Sequence, residues 1–216
     1  TEDGAEARHA SPLQPPSSVW ERFAAELTQV GGAAFQAADR AEAIQQAIAW
    51  AQAHSARRAL VCAAPETEGV AQAFAEAGFA VEEAAPVGGV RSDEERARLR
   101  QRWAAADLVI SGADAAIAET GTLVLAARPE LPRAATLLPP VHIALLDQAR
   151  LVPTLTDLIP MWRRQGWPSG LLFTTGPSRT ADIEQTLTIG VHGPGELLVI
   201  GFPASNGNPG SEPRLR

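Results

Sequence analysis

Two stretches carry the side chains best suited to chemistry. Residues 112–122, GADAAIAETGT, place Asp114 and Glu119 on either side of an apolar run. In an extended strand positions five apart face opposite ways, so the two are not a carboxylate pair for acid–base work. Glu119 sits between Ala-Ile-Ala and a Thr-Gly turn. A carboxylate at a core edge needs donors, and the N–H and hydroxyl groups of Thr120, Gly121 and Thr122 can supply them. Shielded from water, it would suit acid–base or nucleophilic work; equally, it can simply pin its own turn. Residues 174–184, TTGPSRTADIE, read as the end of a strand, a sharp turn at Gly176 and Pro177, and a helix capped by Ser178 or Thr180. Free N–H groups at a helix start beyond a strand end attract anions. Thr174, Thr175, Ser178 and Arg179 would add hydroxyl and guanidinium donors. Asp182 and Glu184 suit the helix dipole but repel an anion. The glycine spacing and lysine of a P-loop are missing, and the same Thr, Ser and Asp residues cap helices in proteins that bind nothing.

Four histidines complete the inventory. His192 lies in a Gly/Pro loop, GVHGPGE, where a histidine can act as acid–base or bind a carboxylate. His142 opens a strand after Pro139 and Pro140 and is expected on the same crevice; His9 and His54 are expected in solvent. They are too scattered for a zinc site. The candidate catalytic residues are therefore Glu119 and His192. The candidate ligand contacts are Gly176, Ser178, Arg179, Thr180, Asp182 and Thr122. No metal set emerges, and the residues name no cofactor.

Bulk properties narrow the classes. The chain has 216 residues, a formal charge of -7 and a sequence pI near 5.1. Nucleic-acid binding normally needs a basic footprint, and the basic residues here form isolated pairs such as Arg57-Arg58 and Arg163-Arg164. The single cysteine, Cys62, rules out an internal disulfide and a cysteine-held iron–sulfur cluster within these residues. It fits a cytoplasmic setting. The N-terminal residues lack the basic-then-apolar order of a signal peptide, and no stretch reaches the length of a membrane span.

The elements that must position these residues follow from capping and periodicity. Ser18 with Glu21, and Asp39 with Glu42, open two helices; the apolar face of the first holds Trp20, Phe23, Ala24 and Leu27. Strand, helix, strand, helix and strand follow over residues 58–111, which favours a parallel sheet covered by helices. Residues 114–127 then read as a hairpin bent at Gly121. Residues 129–140 read as a proline-rich loop, 141–147 as a strand, and 152–166 as a helix kinked or divided at Pro160. Residues 170–176 are a strand, 179–190 a short helix and 196–202 the last strand. The tryptophans read mostly as core, but an exposed patch of Trp162 and Trp167 beside Arg163 and Arg164 would mark a partner surface. The expectation is a three-layer α/β/α fold with a mostly parallel sheet and an N-terminal helical appendage. Residues 1–16 and 203–216 read as disordered tails, 17–56 as helices packed on the main domain, and 57–202 as that domain.

The segments SGADAAIAETGTLVL, LLPPVHIALLD, LVPTLTDLIP and FTTGPSRTADIEQTLTIGVHGPGELLVI, in that order, resemble the lactate utilisation protein C family, the LUD domain. The resemblance implies the sheet shared by ribose-5-phosphate isomerase, glucosamine-6-phosphate deaminase and CoA transferases. It also implies a place in a three-protein system that oxidises L-lactate to pyruvate, whose other two members resemble iron–sulfur proteins. With Cys62 alone, the chain matches the cluster-free component. Three roles follow as expectations. One is an accessory subunit that docks on iron–sulfur partners and holds a small anionic ligand. Another is a free-standing enzyme on an anionic metabolite or CoA thioester, with Glu119 as base or nucleophile. The third is a binding module without chemistry.

Overall fold

A computed structural model of the chain describes residues 18–84, 92–181, 187–189 and 193–203. Its centre is a six-stranded sheet made of β1 (Ala33–Gln36), β2 (Arg58–Val61), β3 (Ala80–Glu83), β4 (Leu108–Gly112), β7 (Val141–Asp147) and β12 (Glu196–Phe202). The spatial order is β1-β12-β7-β4-β2-β3 and every neighbouring pair is parallel. Strands buried on both faces read as continuous apolar runs, which explains why LVIS and LLVIGF were legible without alternation.

The two faces of this sheet have separate cores. One face carries Ala59, Val61, Leu108, Ile110, Ile143, Leu145, Leu198 and Ile200. Helices α2 (Arg40–Ala53) and α3 (Val70–Glu76) cover it through Ile44, Ala47, Ile48, Val70 and Phe74. The other face carries Leu60, Cys62, Val109, Ala144, Leu146 and Val199. Helices α1 (Val19–Gln29), α4 (Asp93–Ala104) and α5 (Arg133–Leu137) pack there through Phe23, Leu27, Trp103 and Ala135. A four-stranded sheet lies in the same layer, with β5 (Ala115–Ile117), β6 (Thr122–Ala126), β8 (Leu151–Val152) and β9 (Leu171–Thr175) in the order β8-β5-β6-β9. Leu123 and Leu125 point it toward the main sheet. Val124 and Ile117, on its far face, are covered by Leu158 and Trp162 of α6 (Leu155–Gln165). The result is a three-layer α/β/α fold with a mostly parallel sheet.

Four sequence expectations change. The N-terminal segment is more than a helical appendage: β1, which the sequence reading lacks, hydrogen-bonds along β12, with Ala33 opposite Leu198 and Gln36 opposite Gly201. The short AAFQ run, bracketed by Gly32 and Asp39, has too few residues to show a period. The helix expected over 179–190 is replaced, where residues are described, by two antiparallel strands, β10 (Arg179–Ala181) and β11 (Leu187–Ile189), with Thr180 opposite Thr188. β-Branched Thr180, Thr188 and Ile189 fit a pleated strand better than a helix. The proline-rich loop contains α5. Helix α6, for its part, runs undivided through Pro160.

Candidate functional site

The two bends singled out in the sequence are neighbours. The β5–β6 hairpin turns at Gly121 (φ 62°), and β9 ends at Gly176 (φ 75°). Thr122 pairs in register with Thr175, and their hydroxyl oxygens lie 2.6 Å apart. Thr120 Oγ1 continues this chain, 2.7 Å from Thr122 Oγ1. The space beside the bends is occupied by the C-terminal end of α1. A Cβ at Gly121 would collide with the Leu27 backbone, and one at Gly176 would come within 2.7 Å of Val30 Cγ2. Small residues here let a helix end close over two turns.

Glu119 is half-buried at this end and serves another element. Its Oε1 accepts a hydrogen bond from the Leu155 amide, 2.9 Å away, at the first residue of α6. Thr154 and Asp157 form a capping box at the same start. A carboxylate among the free N–H groups of a helix start is favoured by hydrogen bonding and by the helix dipole. Ser178 donates its backbone N–H to Pro194 O at 2.8 Å, beside the start of β12. Arg179 and Thr180 lie on β10, so among the described residues no helix start follows the Gly176 turn to build the expected anion cradle. His192, Asp182 and Glu184 lie outside the described residues.

His142 does not face a crevice. It is 1% exposed, on the sheet face shared with Ala144 and Leu146, with Nε2 2.8 Å from Ser111 Oγ. Burial pushes its pKa down to about 4, so it stays neutral near neutral pH. Cys62 is likewise buried; its thiol is pushed up to about 12 by burial, partly offset by Arg128, and is not a ready nucleophile. Trp162 is buried on α6, while Trp167 is 62% exposed. Among the described residues no group of three or more His, Cys, Asp or Glu side chains is placed to hold a metal ion.

A second constellation sits at the carboxyl ends of the main strands, where open parallel sheets receive ligands. β2 and β4 are adjacent, yet their outgoing loops leave to opposite faces: β2 leads to α3 on one face and β4 leads to β5 on the other. The divergence makes a topological switch point between them. A 3-10 turn, Pro65–Thr67, places Glu66 at it, and the carboxylate is 4% exposed. Thr67 Oγ1 fixes this turn by donating to Cys62 O and accepting from Ala64 N. Glu66 Oε2 lies so near Gly112 that a Cβ there would clash with it.

Glu66 and the part-buried Asp114 each have a basic partner. Arg150, just past β7, reaches Glu66 Oε1 with Nη2 at 3.0 Å. Asp114, just past β4, accepts Arg128 Nη1 on both carboxylate oxygens at 2.8 Å and the Ala126 amide at 2.7 Å. The two pairs are close enough to interact. Burial raises the Glu66 pKa, Arg150 and Arg128 oppose the rise, and Asp114 reinforces it. The arginine side chains keep 19% (Arg128) and 20% (Arg150) of their surface exposed, so solvent reaches both. Sequence reading weighed Asp114 only against Glu119 and passed over Glu66, Arg128 and Arg150. Charged residues just past apolar strands were the available signal, but the strand order that gathers them is not written in any local pattern.

A DUF162 family protein from Deinococcus radiodurans, solved at 1.70 Å, superposes with a TM-score of 0.59 at 25% identity, covering 88% of this chain and 99% of that one. A lactate utilization protein C from Exiguobacterium is 45% identical over 94 residues, 41% of this chain and 41% of the relative. The protein of that name from Bacillus subtilis is 36% identical over 94 residues, 41% of this chain and 39% of the relative. The matched part of the chain thus spans about two-fifths of the length of these relatives. The LUD domain model matches residues 20–200, a stretch that takes in both sheets, the paired bends and the four-charge cluster, and the chain belongs to the LUD domain family.

Proposed function

We propose that the chain is the cluster-free component of an iron–sulfur system that oxidises L-lactate to pyruvate, and that it holds a small anionic metabolite for that system. The observation that carries the reading is the match of residues 20–200 to the LUD domain, joined to relatives named lactate utilization protein C. The single cysteine, buried and protonated, agrees with a chain that leaves the redox groups to its partners. The basic side chains at the strand ends supply a means of recognising an anion.

The test is genetic and biochemical together. Cells lacking this chain are grown on L-lactate as sole carbon source, and lactate-dependent electron transfer is followed in their extracts. Growth and transfer are expected to fall at least tenfold and to return when the gene is restored. Full-rate oxidation without the chain would overturn the reading.

A further inference from the structure

We propose that the strand ends where β2 and β4 diverge bind the carboxylate of a small monoanionic organic acid on Arg128 and Arg150, beside the buried side chain of Glu66. This rests on, and deepens, the lactate-utilisation reading. Three independent features meet here: a place where adjacent parallel strands send their loops to opposite faces, a carboxylate that is 4% exposed, and two partly exposed guanidiniums from different loops. Among the described residues Arg128 makes its hydrogen bonds through Nη1 alone, to Asp114 and Ala126 O. Its other guanidinium N–H groups have no protein acceptor among those residues. A guanidinium fork of this kind matches the two oxygens of a carboxylate.

Charge decides between a carboxylate and a phosphate. The groups facing Glu66 are Arg150, Asp114 and Arg128. With Glu66 ionised the four side chains sum to zero; with Glu66 protonated they sum to one positive charge. A bound monoanion restores neutrality, whereas a phosphate dianion would leave an uncompensated negative charge beside buried Glu66 and part-buried Asp114. An arriving anion also stabilises the proton on Glu66, so binding takes up a proton from solvent. The affinity therefore weakens as pH rises through the range in which free Glu66 ionises.

Titration calorimetry of the full chain tests this, in two buffers of different ionisation enthalpy and across pH 5–8. The probes are L-lactate, pyruvate and acetate, with inorganic phosphate and ribose 5-phosphate as separate arms. The carboxylates are expected to bind with proton uptake and at least tenfold more tightly than either phosphate. Glu66→Gln should bind without proton uptake and with a flat pH profile. The double variant Glu66→Gln/Arg150→Met keeps the buried pair neutral, so it folds without an orphaned charge; it should bind at least tenfold more weakly. Arg102→Gln, at the opposite end of the sheet beside Glu82, removes the same charge elsewhere and should bind as wild type. Absence of carboxylate binding, preference for phosphate, proton uptake that persists in Glu66→Gln, or equal loss in Arg102→Gln would each overturn the proposal. If the double variant restores growth on L-lactate in full, the binding site is rejected while the lactate role stands. If the wild-type chain is dispensable for that growth, the role itself falls.

Discussion

Glu66 and Arg150 form an ion pair whose acid is almost wholly out of water. Such a pair adds little net stability, because desolvation offsets its attraction, but removing one member strands the other. Arg150→Met should therefore cost about 3 kcal/mol in urea unfolding at pH 7, and adding Glu66→Gln should recover most of it. His142 is another buried titratable group, and its linkage has the opposite sign. Its folded pKa, about 4, is below its ordinary 6.5. The unfolded chain takes up a proton as pH drops below 6.5 and the folded chain does not, so stability falls until about pH 4 and then levels. Glu66 is raised above its ordinary 4.5, so its contribution is present below 4.5 and lost as pH climbs through its folded pKa. We expect His142→Asn to remove the acid-side decline: the stability gap between wild type and variant should change by roughly 2–3 kcal/mol between pH 7 and pH 4.5. Equal slopes in urea titrations of the two proteins would refute this. Neither role was legible in the sequence. A histidine after two prolines looks exposed, and what buries it is the parallel pairing of β7 between β4 and β12.

Helix α1 closes over the turns at Gly121 and Gly176, and this contact separates two effects that glycine substitutions usually mix. Gly69 also has positive φ, at 83°, but a Cβ there would meet nothing within 4 Å. Gly69→Ala should thus cost only the backbone term, ~1–2 kcal/mol. Gly121→Ala adds a collision with the Leu27 backbone and should cost a further ~1–3 kcal/mol. Thermal unfolding of the pair checks the difference; equal midpoints would mean that α1 gives way freely. At the start of α6, Glu119→Ala should lower stability by about 1 kcal/mol through loss of the bond to the Leu155 amide, measurable in the same assay. The hairpin around Gly121 was readable because two apolar runs flank a Thr-Gly pair and no helix fits between them. The 178–189 segment misled because its Ser, Thr and Asp residues satisfy a capping pattern as well as a turn does. Antiparallel pairing of Thr180 with Thr188 decided the matter.

At the scale of the whole molecule, alternation of strands and helices announced the layered fold, yet it assigned neither strand order nor membership. Residues 170–176 read as a strand, and the structure places that strand, β9, in the smaller sheet. The order of the central strands is what brings Glu66, Asp114 and Arg150 together from three separate loops, so this cluster is not legible without the topology. The same order makes β1 the outer neighbour of β12. Removal of residues 1–36 would take away β1, expose the outer edge of β12 and uncover Leu123 and Val199 beneath α1. We expect such a chain to lose its near-ultraviolet circular dichroism and to aggregate. A soluble product with the wild-type spectrum would contradict that.

The β1–β12 pairing also has a consequence for biosynthesis. Residues near position 33 leave the ribosome long before their hydrogen-bonding partners near position 198 exist. Until then α1 and β1 wait unpaired beside an incomplete sheet, and the nascent polypeptide holds exposed apolar surface for nearly its entire translation. A molecule built this way closes late and all at once, which makes it a natural client for a chaperone at the exit tunnel.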